Sequence, residues 1–445
     1  MFKKYNYNYF SKLFSFSIII TSLISYPSSL QIFYPIPLRI LVIFSFSIAF
    51  IYAFYCIKRN YDFLTNGCLV WFLILWMGYF TSLSIGTFFS GYEVRMYNYL
   101  SYASKMAFFL LCLLYLDKKT ILNAVKIYSH LALFITILSI FIGVLVALQL
   151  ISYSVEISKH LPDYLKFYYL VFYAQSSPLE FVDFPLYRLQ GYSTEAGVFA
   201  LSLIMPALFF LIFEKNYFKF SIIIIGIAWT FSFPAFAGFL LFSILSFFSG
   251  KRNLSKTLLL VFVTLLSVVF ITELMEAPKI QKKQEIADNL SFNDPNASSI
   301  HYDTFLKLRV DSWQDRTDAM TNYFNYMGNK LSLFQKLFGL GAGNAIYSYK
   351  ETIANGFLFR LIDAGIIGFI FYSLSALAIG FYAFKSVIGG TNDELTMVLA
   401  LSSIFLLLVS ILRQSYDMSY WQMFIYASFF VNRIRHSDEC SAVSR

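Results

Sequence analysis

Apolar runs bounded by charged or strongly polar residues recur along nearly the whole chain. They predict twelve spans, at about 13–30, 38–57, 68–89, 99–116, 127–150, 196–213, 218–232, 234–249, 257–274, 361–384, 395–412 and 418–432. A helix needs about 20 mostly apolar residues to cross the hydrocarbon of a bilayer, and in lipid it must satisfy its own backbone groups. The pattern therefore predicts an all-α, polytopic integral membrane protein in which residues 1–445 form a single membrane domain. The seventh and eighth spans share one apolar stretch broken by Thr230-Phe-Ser-Phe-Pro234. A proline among small polar neighbours there suits a tight hairpin or a broken helix.

Composition sharpens this picture: the chain is 58% hydrophobic and only 13% charged, which excludes an ordinary soluble domain. The net charge of +9 comes from cations dispersed singly or in pairs between the spans, so it reads as a topology signal and not as a nucleic-acid surface. With twelve spans, Lys3, Lys4, Lys58, Arg59, Lys118, Lys119, Lys215, Lys219, Lys251, Arg252, Lys385, Arg433 and Arg435 fall on one side. Short-loop cations mark that side as cytoplasmic, and both termini are then expected inside. Reading 218–249 as one span would put Lys251 and Arg252 outside, so the charge rule favours the hairpin. The start, Lys3-Lys4 and then an apolar run, has no small-residue cleavage site after it, which predicts an uncleaved first helix.

Two long loops, 151–195 and 275–360, fall on the outer side. The cytoplasmic loops are too short for a nucleotide-binding domain, which counts against an ATP-driven pump, and no internal repeat marks a transporter built of inverted halves. Cys56, Cys68, Cys112 and Cys440 show neither a disulfide framework nor zinc spacing. His130, His160, His301 and His436 share no metal-ligand spacing and no carboxylate cluster accompanies them, so no metal or other cofactor is expected.

The candidate chemistry lies in the two outer loops. Arg188, Gly191 and Glu195 stand at i, i+3 and i+7, one face if the segment is helical, with the glycine open to a ligand's approach. The alternative is that Arg188 reaches lipid headgroups while Glu195 offsets the positive end of the sixth helix. In the second loop, an amphipathic helix is expected near 309–327. Arg309, Trp313, Arg316, Met320 and Tyr323 form one stripe, and Asp311, Asp315 and Asp318 a second. Such a helix fits a membrane surface or a face for phosphate and sugar. The turn Phe338-Gly-Leu-Gly-Ala-Gly-Asn344 can be a backbone anion nest or a flexible lead-in to the tenth span. There Arg360 and Asp363 can pair, while Gly365 and Gly368 allow close helix packing. Glu93, Arg95, Arg413 and Asp417 are further charges at the outer surface.

The order of these parts resembles the O-antigen polymerase and ligase superfamily of bacterial membrane glycosyltransferases. The residues that carry the resemblance are Arg188-x-x-Gly191-x-x-x-Glu195-Ala196, Arg309 and Arg316, Gly339-Leu-Gly341, and Ala354-Asn355 through Leu358, Leu361, Asp363 and Gly365. Ala196 replaces the family's frequent proline. Ala354 replaces the histidine typical of the ligases, which favours the polymerase branch. The resemblance implies an inner-membrane enzyme that joins oligosaccharide repeat units carried on undecaprenyl pyrophosphate into O-antigen, capsule or a similar exopolysaccharide. It assigns Arg188 and Arg316 to the pyrophosphates, Arg309 to a supporting contact, and Glu195 to base or orienting work. Gly191, Trp313, Gly339, Gly341 and Asp363 would bind substrate. A chain-length regulator and a flippase are the protein partners such a role would bring; nucleic acid is not among them. The rival readings are an O-antigen ligase and a lipid-linked oligosaccharide flippase or other transporter.

Overall fold

The structure, a computed structural model, describes residues 12–21, 67–92, 94–148, 150, 166–168, 173–175, 188–193, 196–267, 321, 324–344, 356–389, 393–412 and 419–443. In chain order the helices are α1 (Lys12–Thr21), α2 (Gly67–Phe89), α3 (Met96–Tyr115), α4 (Lys118–Ala147), α5 (Ala196–Leu208), α6 (Tyr217–Trp229) and α7 (Phe233–Phe248). There follow α8 (252–267), α9 (324–330), α10 (Leu333–Phe338), α11 (Gly356–Ile388), α12 (Glu394–Leu412) and α13 (Tyr420–Val443). Helices thus occupy the expected spans wherever these are described; the span at 38–57 lies outside the described residues. Val70–Phe89, Lys118–Val146, Ala196–Phe213 and Leu358–Ile388 are each long and apolar enough to cross a membrane; among the described residues Lys12–Thr21, Asn98–Leu114, Tyr217–Trp229, Pro234–Phe248 and Glu394–Ser410 are shorter apolar stretches. The all-helical expectation needs one amendment. Within the segment 151–195, β1 (Lys166–Tyr168) and β2 (Tyr173–Gln175) pair antiparallel, with Phe167 opposite Ala174.

The expected hairpin is present. Helix α6 ends at Trp229, Phe231 takes the left-handed conformation (φ 49°), and Pro234 sits in the first turn of α7, where its missing N–H removes no helical bond. A second proline acts inside a helix. Pro206 cannot donate to the carbonyl of Ser202, four residues earlier, and that acceptor takes the Tyr128 hydroxyl of α4 instead, at 3.2 Å. The helix then widens into a π-helical turn, Phe209–Phe213. Nearly all of α5 is buried, with Phe199, Leu203, Met205, Leu208 and Phe209 at the centre of the core.

Helix α11 packs along α2 and α12, but it is not one rod. Gly365 has φ 67° and ψ −175°, a conformation open to glycine and strained for other residues. Gly365 does allow the close packing its sequence predicts, against the backbone of Leu337 and Gly339, and it also breaks the helix. Residues 366–388 alone, at 1.5 Å per residue, reach about 34 Å, enough to cross hydrocarbon of about 30 Å. The segment before the break is additional to a span.

The two ends of the bundle differ in chemistry. At one end Lys118 pairs with Asp393 (3.3 Å), Lys215 with Glu394 (2.9 Å) and Lys219 with Glu214 (2.7 Å). Asn432 donates to Asp393 (2.8 Å), and Arg433 donates to the Tyr382 carbonyl and the Ser386 hydroxyl. Burial raises the pKa of Asp393, but the hydrogen bonds from Thr396 and Asn432 and the Lys118 ammonium outweigh it and hold the carboxyl below its ordinary value. Burial lowers Lys251 at the same end. Cations that the charge rule put on one side of the membrane are thus gathered by the fold at one end.

Candidate functional site

At the opposite end the break in α11 sets the geometry. A helix interrupted at Gly365 leaves carbonyls just before it without their usual N–H donors, and such groups are costly if buried unpaired. Here they are taken up from elsewhere. Leu340 N–H donates to the Ile362 carbonyl (2.9 Å), Gly341 N–H to the Asp363 carbonyl (3.0 Å), and Ser82 Oγ to the Ala364 carbonyl (2.9 Å). The glycine turn is therefore spliced into the broken helix. Gly339 and Gly341 both have positive φ, and a side chain on either would overlap backbone, that of Asp363 and Gly365 for Gly339 and that of Gly86 and Thr87 for Gly341.

The remaining donors of the turn are also engaged. Ala342 N–H donates to Thr87 Oγ1 (3.0 Å), Gly343 N–H to Asp363 Oδ2 (3.1 Å) and Asn344 N–H to the Gly341 carbonyl (3.1 Å). Ser90 Oγ and Asn344 Nδ2 both donate to the Leu340 carbonyl, and Gln335 Nε2 donates to the Ser90 carbonyl (2.9 Å). An anion nest needs N–H groups that point at the ligand; those from Leu340 to Asn344 point at protein. The turn is a structural joint, not the nest or the flexible lead-in that its sequence allowed.

Asp363 and Arg360 are 0% and 1% exposed, and an ionised group at such burial requires a partner. Tyr102 of α3 stands between them: Arg360 Nη1 donates to its hydroxyl (2.9 Å), which donates to Asp363 Oδ2 (3.2 Å). The guanidinium also lies over the Tyr102 ring, 5.3 Å from its centroid. The sequence-level pairing of Arg360 with Asp363 is realised through a phenol that sequence reasoning missed. A signal existed: Asn98, Tyr102 and Lys105 place polar groups at steps of four and three on a mostly apolar span. Beside this group a small apolar cluster of Leu331, Leu340, Leu358, Phe359 and Ile362 caps the bundle end, with Tyr92 and Tyr326 against it. Burial, with the Tyr92 hydroxyl at 3.5 Å, pushes Tyr326 up to about 12.

Arg188 lies at the same end, over the hairpin tip. Its Nε donates to the Thr230 carbonyl (2.9 Å) and its Nη2 to the Phe231 carbonyl (3.4 Å), while Leu189 N–H donates to the Trp229 carbonyl (3.1 Å). The half-buried cation therefore caps the negative end of α6. Residues 188–193 are irregular, not helical, with Gly191 at φ 55°, so Arg188 and Gly191 share no helical face. The space beside Gly191 is filled by the Phe199 ring and is closed to a ligand. Glu195, Arg309, Trp313 and Arg316, with the rest of both stripes, lie outside the described residues, as do Glu93, Arg413 and Asp417.

Searches of known protein families, of characterised proteins and of solved structures found no match to this chain.

Proposed function

We propose that this chain is a membrane glycosyltransferase that polymerises lipid-linked oligosaccharide repeat units, with undecaprenyl pyrophosphate as the carrier. The observation that carries the reading is the separation of its two ends. The ordered elements that resemble the polymerase and ligase superfamily, Arg188 with Gly191, Gly339 with Gly341, and Asp363, all fall at the end opposite the lysine cluster. In the proposed topology of twelve spans the lysine-rich end and both termini are cytoplasmic, and the site opens on the outer face. A transporter would need its distinctive charges along a path through the bundle, whereas these sit at one end of it.

The chemistry follows from the substrates. The growing chain leaves its pyrophosphate carrier as the hydroxyl of the next lipid-linked unit attacks the anomeric carbon, so the glycosidic bond to the sugar forms while the bond to pyrophosphate breaks. Negative charge that develops on the leaving group needs preorganised cations in a low-dielectric setting, the role proposed for Arg188 and Arg316, with Arg309 in support. The acceptor's proton needs a base within hydrogen-bond reach, the role proposed for Glu195. Arg360 is too deeply buried to serve first; through Tyr102 and Asp363 it fixes the joint from which the second outer loop returns to the bundle.

The test is a gel of surface polysaccharide from a strain deleted for the chain and complemented with wild type, Arg188→Ala or Arg316→Ala. The reading requires that deletion leave single repeat units on the surface glycolipid and that either variant fail to restore long chains. Loss of all repeat units would mark a flippase, and polymer left unattached to its final acceptor would mark a ligase.

A further inference from the structure

On the lysine-rich half of the bundle, α11 and α12 leave a groove of about 600 Å³ between them. Leu377, Phe381 and Phe384 of α11 and Leu407 of α12 line it, with Gly380 between them. A Cβ at Gly380 would meet only Leu407, at 3.7 Å, an ordinary contact, so a methyl group fits there while a bulky side chain would fill the groove. Leu377 and Phe381 are 67% and 63% exposed, an apolar face suited to hydrocarbon.

Length and charge decide the occupant. The α11 wall runs from Ser373 to Phe384, about 17 Å at 1.5 Å per residue, which matches one leaflet's share of a hydrocarbon core about 30 Å thick. Leu377, Phe381 and Lys385 follow one another at steps of four, one stripe of the helix, and Lys385 is exposed where the groove meets the lysine-rich end. We propose that the groove binds one acyl chain of an anionic phospholipid from the leaflet at that end, with Lys385 against its phosphate. The substrate carrier is a different lipid, since its pyrophosphate would lie at the opposite end.

Native mass spectrometry of the full chain in detergent, titrated with dioleoyl phosphatidylglycerol or dioleoyl phosphatidylcholine, tests this. Wild type should retain one phosphatidylglycerol in preference to phosphatidylcholine. Lys385→Ala should bring phosphatidylglycerol down to the phosphatidylcholine level. Gly380→Phe should weaken both at least tenfold, and Gly380→Ala should bind as wild type. Leu408→Trp, which fills the groove from its exposed rim, gives the same readout if Gly380→Phe fails to fold. Unchanged phosphatidylglycerol binding in the filled variants overturns the proposal. So does a wild-type dimer that the filled variants disperse, which would make the groove an interface between two copies.

Discussion

The backbone N–H of Gly343 donates to Oδ2 of Asp363, 3.1 Å away, and the same oxygen takes the Tyr102 hydroxyl. One buried carboxylate therefore ties a glycine turn, the broken helix that follows it and a helix more than two hundred residues earlier in the chain.

That tie makes Asp363 and Arg360 interdependent. Removing one member of a buried charge pair strands the other and costs about 3–5 kcal/mol. Asp363→Leu and Arg360→Met should each lower thermal stability in detergent steeply, while the double variant should recover much of the loss. Tyr102→Phe should cost about 1.5–3 kcal/mol, the range for a hydrogen bond to a charged group. Thermal denaturation of the four variants, with additive losses in the double, would disprove the coupling.

Gly365 has to be glycine. Positive φ with ψ near 180° is a region almost confined to glycine and costs another residue about 1–3 kcal/mol, and a side chain there would also overlap the backbone of Leu337 and Gly339. Gly365→Ala should lower the accumulation and melting temperature of the protein. Gly328→Ala, at an exposed position with nothing near its Cβ, should leave both unchanged.

The structural role of Arg188 can be separated from the chemical one proposed for it. Its guanidinium bonds to the Thr230 and Phe231 carbonyls predict that Arg188→Ala destabilises the hairpin, by about 1.5–3 kcal/mol. Lysine can cap the helix end as a point charge but cannot reproduce a guanidinium's bidentate geometry. Arg188→Lys should therefore accumulate better than the alanine variant yet lose most polymer. Long chains at wild-type level from a normally accumulating Arg188→Lys protein would remove Arg188 from the chemistry.

The lysine-rich end should be acid-sensitive. The folded-state pKa of Asp393 lies below its ordinary 3.8, so its contribution is fully present above that value and is lost as pH falls through the lower, folded one. Melting temperature recorded from neutral pH downward should fall more steeply below pH 3.8 in wild type than in Asp393→Asn, which starts lower because the Lys118 pairing is already gone. Parallel curves would refute it.

Much of the helical layout was legible because an apolar run must either span or be buried, and the Pro234 hairpin was legible because proline and charge placement agreed. What stayed hidden was long-range. Gly365 was legible as a packing glycine but not as a break, since nothing local marks one; the break depends on Leu340 and Gly341, which supply donors from another segment. Gly339 and Gly341 were visible as a turn, but not that Thr87 and Asp363 would consume its N–H groups. Tyr102 escaped notice among many tyrosines of an aromatic-rich chain. Arg188 stood out in the sequence, but not its partners, the Thr230 and Phe231 carbonyls, which lie more than forty residues away at the hairpin tip.

The ion pairs at the lysine-rich end also bear on how the chain is made. Asp393 and Glu394 leave the ribosome about 275 residues after Lys118, a delay of roughly 15 to 50 seconds at ordinary synthesis rates. Until then Lys118 and Lys215 lack the carboxylates they hold in the finished bundle. A chain cut short before the last helices would leave both lysines without these partners at the lysine-rich end.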